Sequence, residues 1–173
     1  MEKSIIQPSK NDTTYSSYLK VNELISLQNP LSNPPARDEM LFIVIHQVYE
    51  LWFKQFIYEI QRSVTDLEMN KVLSFKRCLS RIATIQNVLN QQVDILETMA
   101  PNDFNRFREN LNPASGFQSH QFRVIEILLG HKNGAYTKYF TNQPSALKEV
   151  ETALKTPSVY DYFLRFLSRR GFD

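Results

Sequence analysis

Residues 72–99 read VLSFKRCLSRIATIQNVLNQQVDILETM. Apolar side chains stand at Val72, Phe75, Leu79, Ile82, Ile85, Leu89, Val93 and Leu96. Every step between them is three or four residues, so all fall on one face of a long helix. A second such stretch precedes it. From about Asp38, a plausible N-cap or first-turn acid, to about Leu67 the chain reads as another long helix, and it holds the most apolar segment, LFIVIHQVYELWF at 41–53. Glycine occurs only four times, first at Gly116, and hairpin dipeptides are nearly absent. These features predict an all-α helical bundle with two antiparallel long helices at its centre.

Shorter elements follow from local signals. Residues 15–28 read as a helix carrying Leu19, Leu24 and Leu27, and the three prolines of NPLSNPPA stop it. PNDFNRFREN reads as a short capped helix from near Asn102, NPASGF as a tight break, 118–130 as a helix and HKNGAYTKYFTNQPS as a loop. In TPSVYDYFLRFLSRRG the expected N-cap is Thr156, with Pro157 at the first helical position and Gly171 past the end. The expected organisation is a flexible segment at 1–14 and one α-helical domain at 15–173.

The bulk numbers narrow the function. At 173 residues, with 22% charged and 42% hydrophobic residues, the composition is ordinary for one globular domain. A net charge of +2 without basic clusters argues against a nucleic-acid or anionic-membrane partner. The single cysteine, Cys78, excludes an internal disulfide and fits a reducing compartment. No uncharged apolar run is long enough for a membrane span or a signal peptide, so the expected location is cytoplasmic.

Two helical pairs carry the chemistry. Phe42 and His46 are four apart on the long helix, and Phe104 and Arg108 are four apart on the short one. Each offers an aromatic wall and a polar head. Facing each other, they suit a flat ring with a carboxylate: Arg108 as a bidentate clamp, His46 as donor to or acceptor from a ring N–H. The plainer alternatives are a hydrogen-bonded core histidine and a surface arginine in a salt bridge. Amides of the SGF turn could form an anion or oxygen site. His46 and Glu50 make only a two-residue metal match. His46, His120 and His131 fall in no zinc spacing.

Three blocks then matter together: YSSYLKVNELISLQNPLS, DEMLFIVIHQVYELWFKQFIYEI and QQVDILETMAPNDFNRFRENLNPASGFQSHQFRVIE. In order and spacing they resemble the tryptophan 2,3-dioxygenase family from about Tyr15 onward. The resemblance implies an all-α, haem-dependent enzyme that uses O2 to open the indole C2–C3 bond of L-tryptophan, giving N-formylkynurenine. It implies haem b as cofactor and a homotetramer. It places Phe42 on the indole, His46 on the indole N–H and Arg108 on the substrate carboxylate. Phe104 and Leu111 become pocket walls, Ser115 and Gly116 neighbours of the haem, and Tyr15, Tyr18 and Leu19 visitors to a neighbouring subunit's pocket. The family's His-Asp-Glu before MLF is Arg37-Asp38-Glu39 here. The family regions that carry the proximal haem histidine and the threonine for the substrate ammonium find no match. The expectation is a chain bearing the distal, substrate-binding half, with no metal ligand of its own. The alternative is a truncated or split member that binds an indole or a partner chain without catalysis.

Overall fold

The computed structural model describes residues 13–172. The segment expected to be flexible, 1–14, therefore lies almost wholly outside the described residues. Eight α-helices and three short 3-10 turns make up the described chain, with no strand among the described residues.

The centre is a helical hairpin. Helix α3 runs Glu39–Glu68 and α4 runs Val72–Leu96, so α3 is about 45 Å long. Asn70 joins them in the left-handed conformation, φ +56°. Its N–H donates to Leu67 O at 3.2 Å, and Lys71 N–H donates to Asp66 O at 2.8 Å. That pair of bonds is the Schellman arrangement, which satisfies the last carbonyls of α3 and reverses the chain. Cys78 Sγ then meets Asp66 Oδ2 at 3.8 Å, Arg81 Nη1 meets Glu59 Oε1 at 2.6 Å, and Tyr49 Oη donates to Leu89 O at 2.8 Å. These pairings step outward from the turn, as an antiparallel hairpin requires.

On this hairpin lie α6, His120–Leu128, and α7, Pro144–Lys155. Phe56 and Ile60 of α3, Ile82 and Ile85 of α4, Ile125 and Ile127 of α6, and Val150 of α7 form the main core with Phe140. Trp52, the only tryptophan, packs against it from α3. A smaller cluster of Leu67, Phe75 and Phe166 seats α8, Val159–Arg169, on the turn end of the hairpin. The apolar face of α4 is buried only in its middle, at Phe75, Cys78, Ile82 and Ile85; Val72, Leu79 and Val93 remain exposed.

Several boundaries differ from the sequence expectations. Residues 15–28 form two short pieces, α1 Tyr15–Leu19 and α2 Val21–Leu24, broken by Lys20 at φ +55°. Neither buries a side chain, so no packing enforces a continuous helix. Helix α5 runs Pro101–Arg108, one residue earlier than expected. The N-cap of α8 is Ser158, not Thr156. Ser158 Oγ accepts from Asp161 N–H at 3.2 Å, while Asp161 Oδ2 accepts from Ser158 N–H at 2.7 Å. This reciprocal capping box outcompetes Thr156, whose hydroxyl closes the end of α7 by donating to Thr152 O at 2.8 Å. Gly171, φ +80°, does follow the end of α8.

Candidate active site

The site is assembled by the N-terminal half of α3 meeting α5 and the loop after it. What fixes the start of α3 is Glu39, at its first turn. Its carboxylate accepts from Leu31 N–H at 2.6 Å, Ser32 N–H at 3.1 Å and the Ser32 hydroxyl. Burial pushes this carboxyl up, but the hydrogen bonds from Ser32 and Leu31 outweigh it and hold the group below its ordinary value. The proline-rich loop is thereby tied to the helix that carries Phe42 and His46. Asp38 occupies the N-cap position without a side-chain capping bond.

Helix α5 is anchored by Phe107, which is fully buried. Its ring meets Phe42 edge-on at 5.5 Å and Phe104 at 5.3 Å in a T-shape. Phe42 also lies 5.9 Å from Phe104 and 4.1 Å from the His46 ring. The two aromatic–polar pairs singled out in the sequence are therefore brought together. They line one cavity of about 770 Å³ with Leu111, Ser115 and Gly116.

His46 Nδ1 lies 2.8 Å from Phe42 O. A carbonyl oxygen only accepts, so Nδ1 carries a proton and donates. In the neutral ring Nε2 is then the free acceptor. Arg108 lies over the Phe104 ring at 5.9 Å and has no carboxylate partner among the described residues. Its neighbour Arg106 takes Asp103 instead, at 3.9 Å. The cavity thus holds one unpaired guanidinium and one imidazole acceptor between aromatic walls.

The wall made by 115–119 is pinned from behind. Ser115 Oγ accepts from Phe117 N–H at 3.3 Å, and Gln118 Oε1 accepts from Ser115 N–H at 3.0 Å. Arg123, buried on α6, reaches back to this turn. Its guanidinium lies 5.6 Å from the Phe117 ring, 5.2 Å from Phe122 and 4.7 Å from Tyr136, and its Nε donates to Phe117 O at 3.4 Å. Gly116 faces open space: a Cβ there would meet nothing within 4 Å, and its φ is not positive. The fold itself does not require glycine at 116, so the vacant wall suits a flat group approaching closely from the cavity side.

A family model described as tryptophan 2,3-dioxygenase matches residues 1–166. The chain belongs to the tryptophan 2,3-dioxygenase family. The tryptophan 2,3-dioxygenase of Herpetosiphon aurantiacus is 47% identical over 159 residues, 92% of this chain and 61% of that protein. That of an Arthrobacter species is 39% identical over 173 residues, 100% of this chain and 61% of its own length. That of Caulobacter vibrioides is 44% identical over 160 residues, 92% of this chain and 60% of its own length. The chain therefore spans about three fifths of the length of these curated relatives.

In this tryptophan 2,3-dioxygenase family chain, Phe42, His46, Phe104, Arg108, Leu111, Ser115 and Gly116 all line the cavity. Tyr15, Tyr18 and Leu19 do not; they are exposed on α1, away from it. His120 faces Glu149 with Nε2 at 3.5 Å from its carboxylate, and His131 lies beside Tyr136. Neither lines the cavity, and no cluster of three or more His, Cys, Asp or Glu occurs among the described residues. Sequence reasoning missed Phe107, Gln118, Gln143 and the role of Glu50. Glu50 lines the cavity one turn beyond His46, where Gln121 Nε2 donates to its carboxylate at 2.8 Å and its carbonyl at 2.9 Å. The i, i+4 spacing to His46 was the available signal.

Proposed function

We propose that this chain forms the substrate-binding, distal wall of a haem-dependent dioxygenase that opens the indole C2–C3 bond of L-tryptophan with O2 to give N-formylkynurenine. The observation that carries the reading is the unpaired Arg108 guanidinium sharing an aromatic cavity with a His46 whose free nitrogen is an acceptor. The guanidinium matches a carboxylate in charge and geometry. The Nε2 lone pair matches an indole N–H, which donates and does not accept. His46 holds that N–H without needing to remove its proton. Phe42 and Phe104 supply the flat walls, and closing the cavity around the ring excludes water from the reacting carbons.

Haem b, when bound, supplies the iron that activates O2. Ser115 and Gly116 are the residues that fit beside the macrocycle, because the open space at Gly116 admits a flat group. Within this reading none of His46, His120 and His131 would hold the haem iron. A homotetramer, with Tyr15, Tyr18 and Leu19 entering a neighbour's cavity, agrees with their exposure on α1. A cytoplasmic location agrees with the one buried cysteine, and no described helix is long and apolar enough to cross a membrane.

The test is binding of L-tryptophan, by calorimetry, to the chain and two variants, with an absorbance titration of ferric haem alongside. Arg108→Ala is expected to weaken tryptophan binding roughly 10–150-fold, the worth of a hydrogen-bonded charge pair of about 1.5–3 kcal/mol. Tryptamine, which lacks the carboxylate, should be indifferent to this change. His46→Ala should weaken tryptophan about 2–10-fold but leave N1-methyltryptophan unaffected. Equal binding of tryptophan to all three proteins would sink the reading.

A further inference from the structure

Apolar side chains surround more of α3 than the site and the core use. Phe42, His46 and Glu50 line the cavity, and Ile45, Phe56 and Ile60 are buried. A third stripe does neither. Met40, Val44, Leu51 and Tyr58 are exposed, with half-buried Val48 among them. The steps from 40 through 44, 48 and 51 to 58 are four, four, three and seven, which keeps all five on one helical face. Beside this stripe runs a groove of about 630 Å³ between α3 and α4, lined by Val48, Leu51, Trp52, Arg81, Thr84 and Ile85. It shares no lining residue with the His46 cavity.

Charge is segregated along this face. Toward the hairpin turn it is basic. Arg62 lies over the Tyr58 ring at 5.9 Å, and Arg77 and Arg81 stand four apart on α4. All three are exposed. Arg81 pairs with the fully buried Glu59 at 2.6 Å, while Arg62 and Arg77 have no ion pair among the described residues. No acidic residue occurs from Met69 to Val93. On α3 the carboxylates of Glu39, Glu59 and Asp66 are buried, and Glu50 belongs to the cavity. The groove thus offers an apolar floor and a basic end without an exposed carboxylate from 40 to 67 or from 69 to 93. A second copy would bring the same cations and nothing to neutralise them on this face, so it does not complete the match.

We propose that the α3–α4 groove docks an amphipathic helix of another protein, one whose apolar seam ends in a cluster of carboxylates. Apolar side chains at i, i+4 and i+7 of that helix seat on Val48, Leu51 and Trp52, the helix-in-groove mode of recognition. Its carboxylates meet Arg62 and Arg77 in charge-assisted pairs. Contiguous exposed apolar side chains bordered by polar groups are the mark of such a contact. The docked helix lies on a face of α3 other than the one carrying Phe42 and His46, so the cavity stays open to its substrate. The inference concerns a separate surface and holds whether or not the cavity takes tryptophan.

The probe is a dye-labelled synthetic helix of about 18 residues, roughly 27 Å long, with leucines at that spacing and glutamates clustered at one end. A control helix has lysines in place of the glutamates. Fluorescence anisotropy with the full chain is expected to show saturable binding of the acidic helix, weakening as salt rises, and none of the lysine helix. Methyl resonances of Val44, Val48 and Leu51 should shift on binding, and those of the fully buried Ile127 and Val150 should not. The double variant Arg62→Glu with Arg77→Glu should weaken the acidic helix roughly tenfold or more, two charge-assisted pairs being lost, and admit the lysine helix. Leu51→Asp, at an exposed position, should abolish binding; Val44→Asp repeats the test should the first variant fail to fold. Failure of the acidic helix to bind overturns the docking site. Equal binding of the two helices, or undiminished binding to the double variant, overturns the charge match. A dimer of the chain alone in sedimentation, lost in Leu51→Asp, would give the groove to a second copy and overturn the proposed partner.

Discussion

At the scale of single residues, function and fold make separable demands. Gly116 is the clearest case. A methyl there meets open space in this chain, and no positive φ requires glycine. Gly116→Ala is therefore expected to leave the melting temperature unchanged within a degree or so while weakening haem binding; a melt and a haem titration on the same sample check both halves. Glu39 is the opposite case, a buried carboxylate whose work is structural. Its folded pKa lies below the ordinary 4.5, so its stabilising effect is fully present above pH 4.5 and is lost as pH falls below that value toward the depressed folded pKa. Glu39→Gln would set an amide NH2 against the Leu31 and Ser32 donors. It should cost roughly 1.5–3 kcal/mol near neutrality and flatten the acid limb of the stability profile, measured by urea titration from pH 3 to 7. Cys78 is a third kind. Burial first, then the neighbouring Glu59 and Asp66, push its thiol up to about 11, so the single cysteine is a poor nucleophile while the hairpin is closed.

At the scale of elements, the site depends on parts that do not touch it. From α6, Arg123 holds the 115–119 turn through the ring and carbonyl of Phe117, while its guanidinium also lies over Phe122 and Tyr136 and pairs with Glu126. Arg123→Met keeps the bulk and removes the charge and the donor. Hydrogen exchange at the amides of Phe117 and Gln118 should rise severalfold, with little change at Ile82 or Ile85 in the hairpin. The sequence made much of this level legible. Three- and four-residue apolar steps defined α4, and a first-turn acid with the apolar run at 41–53 marked α3, each to within a residue or two, because a helix that packs one face keeps its period even where part of that face stays exposed. Phe42, His46, Phe104 and Arg108 were legible as two pairs for the same reason. That the pairs face one another was not, since their separation of some sixty residues is bridged by α4, whose length only the fold fixes. Helix α7 went unread although Ala146, Leu147, Val150, Ala153 and Leu154 carry its period. Its small alanines gave a weak signal, and Pro144, placed with the preceding loop, is its first residue. The turn Gly134–Phe140 was read as plain loop, yet it buries Phe140 completely. The cap of α8 fell at Ser158 because the reciprocal bond needs an acid three residues on, and only Asp161 meets that spacing.

At the scale of the whole molecule, stability is concentrated where α6, α7 and Phe140 cover the hairpin, and the site lies toward the other end of α3. Phe140→Ala should therefore cost about 3–5 kcal/mol in chemical denaturation, a large share of the stability of a domain this size, while the tryptophan affinity of the folded fraction stays the same. Coupled losses of both would mean that the core and the cavity are not independent.

Trp52 adds a practical consequence. It is the only tryptophan in the chain, and it sits six residues beyond His46, about 9 Å along the axis of α3. Its emission is thus a built-in optical gauge. A porphyrin arriving beside Gly116 would quench it by energy transfer, and opening of the hairpin would shift it to the red. One cuvette could follow cofactor capture and unfolding as two distinct colour changes, without a label.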